Sequence, residues 1–280
     1  MIGIISQDSI GKVGHSLFLN FRLALKNYLK LEFKNVSNIQ DLETVDLLII
    51  VDEHYAPHVD IWKNDSFINE LNSRKIKTVV FNFERIHSKS FPWNVDHQKK
   101  LETINNLIQF VSDVEDATLY NKPFVNKQYL SRDTTLINPI KDKKERILFM
   151  GQINNYYPTR KKIITDLNAT GIPFDIIVTD RTYSYVNFLQ KINEYKYIFN
   201  PLGTGKFVNL RFYEALKLGC IPIQQVTDNM VSWYNELPRS FVFTNVDQIT
   251  FNLLQKFEPV SQEFYLEDYF ESINLQTFFS

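Results

Sequence analysis

Cysteine is almost missing from this chain: Cys220 is the sole one in 280 residues. That excludes an internal disulfide framework and a cysteine-rich zinc site, and it fits a reducing compartment. Neither sign of charge dominates, with 31 basic against 32 acidic residues and a formal net charge of -1, so the whole-chain footprint of a nucleic-acid binder is absent. No apolar run approaches the roughly 20 residues that span a bilayer, and the opening MIGIISQDS lacks the basic segment and apolar stretch of a secretory signal. A soluble, cytoplasmic protein with no transmembrane segment is expected. The five histidines are scattered; His54 and His58 are spaced i, i+4, but Pro57 between them argues against a helical zinc pair. Internal repeats and low-complexity tracts are also absent.

What is present is 44% apolar residues, enough for a large core, and a length that suggests two domains. Short apolar runs alternate with longer helical patterns, the signature of parallel sheets built from βαβ units. Strands are expected at 2–6, 45–51 and 77–83, with helices at 16–30, near 60–73 and at 96–109. The polar segment 131–146, with Pro139 and a charge run, reads as a linker. The rhythm then restarts: strands at 146–153, 174–180, 197–202, 220–226 and 241–244, helices at 158–170, near 183–195 and near 209–218. The predicted class is α/β, two Rossmann-like doubly wound domains facing a cleft, divided as 1–140, 141–260 and a helical tail 261–280 that crosses back to the first domain. Ligands in such sheets bind at the carboxyl ends of the strands, at a topological switch point.

The stretch FNPLGTGKFVNLRFYEALKLGCIPIQQV, 199–226, falls on a strand, a loop and a helix start. Asn209 is a plausible N-cap, which places Arg211 at the second helical position, where the helix dipole disfavours a cation. An anion held by the loop's backbone N–H groups, with Lys206 beside it, makes that arginine favourable. The competing reading is a solvated Arg211–Glu214 pair at i, i+3. Without Ser or Thr after its lysine, the loop is not a Walker motif.

The run YKYIFNPLGTGKFVNLRFYEALKLGCIPIQQVTDN resembles the donor-binding segment of GT-B glycosyltransferases, and its order P-x-G … R-x-x-E-A-x-x-x-G-C-I-P is most similar to the exostosin-like type. RILFMGQINNYYPTRKKIITDLNATGIPFDIIV is similar to the strand, turn and helix that open the C-terminal domain of many such enzymes. The resemblance covers roughly 146–235. It implies that Glu214 accepts hydrogen bonds from the donor ribose and that Arg211 sits on the diphosphate. Lys206, the amides of Gly203 to Gly205 and Arg160 would help, while Gly151 would admit the donor to the backbone. It further implies an inverting, metal-independent transfer from a UDP-sugar, of the UDP-xylose or UDP-glucuronate class, to a glycan hydroxyl, with the nucleotide sugar as co-substrate and no cofactor. GDP-fucose transfer, as in fucosyltransferase-like enzymes, and a retaining GT-B mechanism stay open. From other classes, a nucleotide-sugar epimerase and a non-catalytic sugar-binding protein remain; the loop SQDSIGKVGHS lacks the GxGxxG of a dinucleotide oxidoreductase.

A metal-dependent transferase would need an Asp-x-Asp-like pair. The run SDVEDA, 112–117, instead reads as a capping box from Ser112 to Glu115. An inverting reaction needs a base on the acceptor side, and strand-end acids supply Asp52 and Glu53 first, then Glu84, with Asp8 a fourth candidate; each could equally cap a turn. Trp62, Trp93 and Trp233 could stack on a sugar or pack in the core, and HSKSFPWNVD, 87–96, is the most loop-like aromatic region.

Overall fold

Strands covered by helices on both faces must be apolar almost throughout, and the aliphatic runs of this chain become such strands. In the computed structural model, residues 1–6, 16–52, 61–83, 85–86, 93–134, 137–153, 158–180, 183–203, 208–227, 241–259 and 263–279 are described. β1 (Ile2–Ile5), β2 (Lys34–Asn35), β3 (Leu47–Asp52), β4 (Lys77–Asn82) and β5 (Leu107–Val111) form one sheet in the order β2-β1-β3-β4-β5. β6 (Lys144–Gly151), β7 (Phe174–Val178), β8 (Tyr195–Asn200), β9 (Ile221–Gln225) and β10 (Phe241–Phe243) form a second, in the order β7-β6-β8-β9-β10. Every pairing in both sheets is parallel. Counted from the first strand of each unit, both orders are 2-1-3-4-5. The chain is thus α/β with two Rossmann-like doubly wound units, and the switch points lie between β1 and β3 and between β6 and β8.

Among the described residues the α-helices are α1 (Ser16–Leu29), α2 (Asp65–Ser73), α3 (Asn94–Leu101), α4 (Val114–Tyr120), α5 (Pro158–Ala169), α6 (Tyr185–Asn193), α7 (Leu210–Lys217), α8 (Phe251–Leu254) and α9 (Leu266–Ser272). The period of two along each strand divides them between the faces. Ile49 and Val51 of β3 meet Phe18, Phe21 and Leu25 of α1, while Leu48 and Ile50 meet Phe67 and Leu71 of α2. In the second unit Ile147 and Phe149 of β6 pack with Ile164 and Leu167 of α5, whereas Leu148 and Met150 pack with Phe188 and Leu189 of α6. α7 ends in a Schellman turn: Gly219, at φ 66°, lets Cys220 N–H reach Ala215 O at 2.8 Å and its own N–H reach Leu216 O at 2.9 Å.

The C-terminal segment packs on the first unit. Leu266, Phe270 and Leu275 join the α1 cluster, and the Phe270 ring meets Phe21 at 5.2 Å and Tyr28 at 5.7 Å, both edge-on. Leu130 and Tyr265 form a parallel bridge, with Leu266 N–H donating to Leu130 O at 2.8 Å. Glu267 then fixes the chain that leaves the first unit, accepting from the Ser131 hydroxyl at 2.8 Å, from the Arg132 amide, and from the Asn27 amide on α1 at 3.1 Å.

Several elements differ from the sequence expectation. The helix expected over 96–109 stops at Leu101, and Leu107–Val111 is a strand, because its apolar run pairs with β4 and Gln109 exchanges hydrogen bonds with Gln98 of α3. The linker ends sooner than 146, since Lys144, Glu145 and Arg146 begin β6. The near-helical tail is broken at Asn274, φ 51°, into α9 and a 3-10 turn, Leu275–Phe278. At α4 the N-cap is Asp113 rather than Ser112: its carboxylate accepts from the amides of Glu115 and Asp116, and Ser112 instead donates to Phe83 O. Glu115 pairs with Arg85, and Asp116 accepts from the Ile86 amide at 2.6 Å. Trp62 is wholly buried in the α2 cluster, Trp93 is 43% exposed, and Trp233 lies outside the described residues.

Phe270 is a sensitive reporter of how the C-terminal helix docks. Phe270→Ala is expected to cost about 3–5 kcal/mol, the range for emptying a buried aromatic site. Denaturant unfolding checks it; a loss below about 1 kcal/mol would mean that α9 contributes little to the α1 cluster.

Candidate anion-binding site

The carboxyl ends of β6 and β8 flank the second switch point, and the residues leaving them converge there. β6 ends at Gly151 and β8 at Asn200, after which Pro201, Leu202 and Gly203 leave the sheet and Val208 and Asn209 lead into α7. Arg160 ties these two exits together from α5: Nη1 donates to Gln152 O at 3.0 Å and Nη2 to Leu202 O at 3.4 Å. Arg160 is 6% exposed, and its guanidinium works here as a clamp between backbone carbonyls. Gln225 Oε1 accepts from the Leu202 amide at 3.0 Å, fixing the same exit from the β9 side.

Arg211 lies in the first turn of α7, as the spacing from Asn209 predicts. Its Cζ is 5.6 Å from the Phe149 ring centroid and 5.8 Å from that of Phe188, so aromatic faces of β6 and α6 flank the cation. Gly151 makes the seat possible, because a Cβ at that position would stand 2.5 Å from Arg211 Nη2. Asn209 occupies the N-cap position without capping: its side chain makes no hydrogen bond to the helix, and the buried Oδ1 has no partner. A helix start that lacks its own side-chain cap, beside a guanidinium at a switch point, is arranged to take an anion.

Glu214 lies one turn further and is 2% exposed, so a solvent-facing pair with Arg211 is not what forms. Its Oε1 accepts from the Tyr185 hydroxyl of α6 at 2.6 Å. Burial pushes its carboxyl up to about 7, against the opposing pulls of the Tyr185 hydroxyl and the Arg211 charge. Tyr185 is itself raised well above the usual phenol range, by burial first and by Glu214 second. The sequence pattern did not single out Tyr185, Phe149 or Phe188, since all three reach the site from other elements and no spacing links them to α7.

Lys206 and Gly205 lie outside the described residues, as do Asp8, Glu53 and Glu84. Gly203 is described, beside the Arg160 guanidinium. Asp52 closes β3 in register with Asn82 of β4, which puts its backbone at the carboxyl end of the first sheet next to the β1/β3 switch point. Among the described residues no three His, Cys, Asp or Glu side chains gather as a metal site would require, and no helix is long and apolar enough to cross a membrane.

A carboxyl whose folded pKa is raised gives stability that is complete below its unfolded value and is lost as pH rises through the folded one. For Glu214 that window runs from about 4.5 to about 7. Wild type is therefore expected to lose stability relative to Glu214→Gln across this range, by at most about 1.4 kcal/mol per pH unit. Denaturant titrations of both proteins at several pH values check this; parallel profiles would contradict it.

No family model and no curated protein matches the sequence. Among solved structures the chain is similar to one described as an α1,3-fucosyltransferase with GDP, at 14% identity, covering 91% of this chain and 76% of that chain with a TM-score of 0.49.

Proposed function

We propose that the chain is a glycosyltransferase of GT-B architecture, which moves a sugar from a nucleoside diphosphate sugar to a hydroxyl of a glycan. The observation that carries this reading is Arg211: a cation in the first turn of a helix without a side-chain cap, seated at the carboxyl end of β6 against Gly151. There it meets a diphosphate bidentately and stabilises the charge that grows on the leaving group. The α7 amides and Lys206 supply further electrostatic stabilisation, so the reading needs no metal for that task.

In the reaction the acceptor oxygen forms a bond to the sugar's anomeric carbon while the bond from that carbon to the diphosphate oxygen breaks. The electron pair leaves with the nucleoside diphosphate, and the acceptor proton goes to a base. With inversion this is a single displacement, and Asp52 is the first choice of base from its place at the end of β3, with Glu53, Glu84 and Asp8 following. UDP-sugars are the favoured donors and GDP-fucose the alternative, both on the resemblance of the 197–228 segment.

Thermal shifts with UDP, GDP, ADP and their sugars test the binding step, since a ligand of the native state raises Tm by mass action. At least one nucleoside diphosphate is expected to bind. Arg211→Ala should weaken it about tenfold or more, the scale of one charge-assisted hydrogen bond. Gly151→Ala, which drives the guanidinium from its seat without removing it, should weaken binding in the same direction. Release of the nucleoside diphosphate should require an acceptor, and Asp52→Asn should lower turnover at saturating substrates by about 100-fold. Sugar binding without nucleotide affinity, or conversion of the donor sugar without an acceptor, would overturn the transferase reading.

A further inference from the structure

Where β4 gives way to α3, the first unit keeps buried amides short of partners. β4 ends at Asn82, in register with Asp52 of β3, and α3 begins at Asn94 on the way back to β5, so both asparagines lie at the carboxyl end of the first sheet. Asn94 is 3% exposed, and its Nδ2 donates to Arg85 O at 2.8 Å. A carbonyl only accepts, so this bond fixes the orientation of the amide; Oδ1 is then the remaining atom, buried and with no partner. Asn82 is 6% exposed, and among the described residues its amide has no hydrogen-bond partner either. The period of two along β4 places it on the face of Val80, which packs with Leu101 of α3. A buried polar atom left unpaired costs the desolvation of that group, so each one calls for a reason.

The same corner carries an exposed indole. Trp93 directly precedes Asn94 and is 43% exposed, whereas every other described Phe, Tyr and Trp is buried or half-buried. The chain leaving β4 is braced against the start of α4: Arg85 pairs with Asp113 and Glu115, and the Ile86 amide donates to Asp116 at 2.6 Å. These charges are taken up by one another, as are those of Asp96 and Lys99 on α3. What the corner offers a ligand is neutral, an aromatic face beside two amides. A sugar ring matches that set, with C–H bonds on one face for the indole and hydroxyls on its rim for the amides. We propose that Trp93, Asn94 and Asn82 form a subsite for a neutral sugar ring of the acceptor glycan. The acceptor role rests on the transferase reading above, which puts the acceptor on the side of the first unit.

Each residue then has a task. The indole covers one face of the ring and takes it out of water. Asn94 Oδ1 accepts from a sugar hydroxyl and gains the partner it lacks, and the Asn82 amide can both donate and accept. The subsite shares its sheet edge with Asp52, so a ring held there presents its hydroxyls beside the strand end from which the base is drawn. Donor phosphates are held on the second unit, which makes the two affinities separable: loss of Trp93 weakens the acceptor and leaves the nucleotide untouched.

The test is saturation-transfer NMR of the whole chain with the methyl β-glycosides of glucose, galactose and N-acetylglucosamine, each alone and with UDP or GDP present. Wild type, Trp93→Phe, Trp93→Ala and Asn94→Ala are compared, with the Tm of each as a check of folding. At least one glycoside is expected to take up saturation mainly on the protons of one ring face. Trp93→Ala should weaken its binding about tenfold, Asn94→Ala about fivefold and Trp93→Phe, which keeps an aromatic face, about threefold or less. Nucleoside diphosphate affinity should stay the same in all three variants. A Trp93→Ala protein that binds the glycosides as wild type does overturns the inference, as does saturation spread evenly around the ring. If Asn94→Ala fails to fold, Trp93→Ala, a change at the surface, decides alone. Nucleotide binding with no glycoside bound overturns the inference alone. Glycoside binding without affinity for any nucleoside diphosphate overturns the transferase reading and the acceptor role with it.

Discussion

A half-buried guanidinium and a buried carboxyl one turn apart on one helix are the constraint around which the second unit is arranged. Burying ionisable groups is costly unless neighbours compensate them, and here the compensation comes from several elements at once. β6 supplies Phe149 and the bare backbone of Gly151, and α6 supplies Phe188 and the Tyr185 hydroxyl. Arg160 from α5 draws the two neighbouring strand exits together. None of these contacts is needed to close a doubly wound sheet; together they hold one cation at the place where such sheets bind ligands.

The two units share a strand order but not a chemistry. The first sheet ends at its switch point in Asp52, and the second ends in Gly151 with Arg211 above it. In the proposed transfer, the acid would take the acceptor proton and the cation at the helix start would stabilise charge at the donor. The C-terminal helix joins the halves by packing Phe270 among the aromatic rings of α1, while Glu267 secures the chain where it leaves the first unit.

Much of the fold was legible because the central strands carry continuous aliphatic runs: LLIIV and ILFM are too short and too apolar for surface helices, and they are strands. β5 was misread because NLIQ follows a helical pattern without a proline or glycine between, and only pairing with β4 shows where the helix stops. Arg211 and Asn209 could be placed by spacing alone, since a helix start is a local feature. The surroundings of Glu214 could not. Its depth depends on α6, whose tyrosine stands 29 positions away in the chain, and no local pattern carries that contact. The same holds for Arg160: the sequence offers a cation near the loop, while the structure shows its hydrogen bonds directed to the carbonyls of Gln152 and Leu202.

The central claim is that the crevice between the ends of β6 and β8 holds a nucleoside diphosphate by its phosphates. The most direct measurement is a crystal structure of the chain grown with GDP and another with UDP. The account predicts a diphosphate against the first turn of α7, with phosphate oxygens within hydrogen-bond reach of Arg211, roughly 2.7–2.9 Å for such a charged pair. A nucleotide bound elsewhere, or an Arg211 that makes no phosphate contact in an occupied crevice, would contradict it.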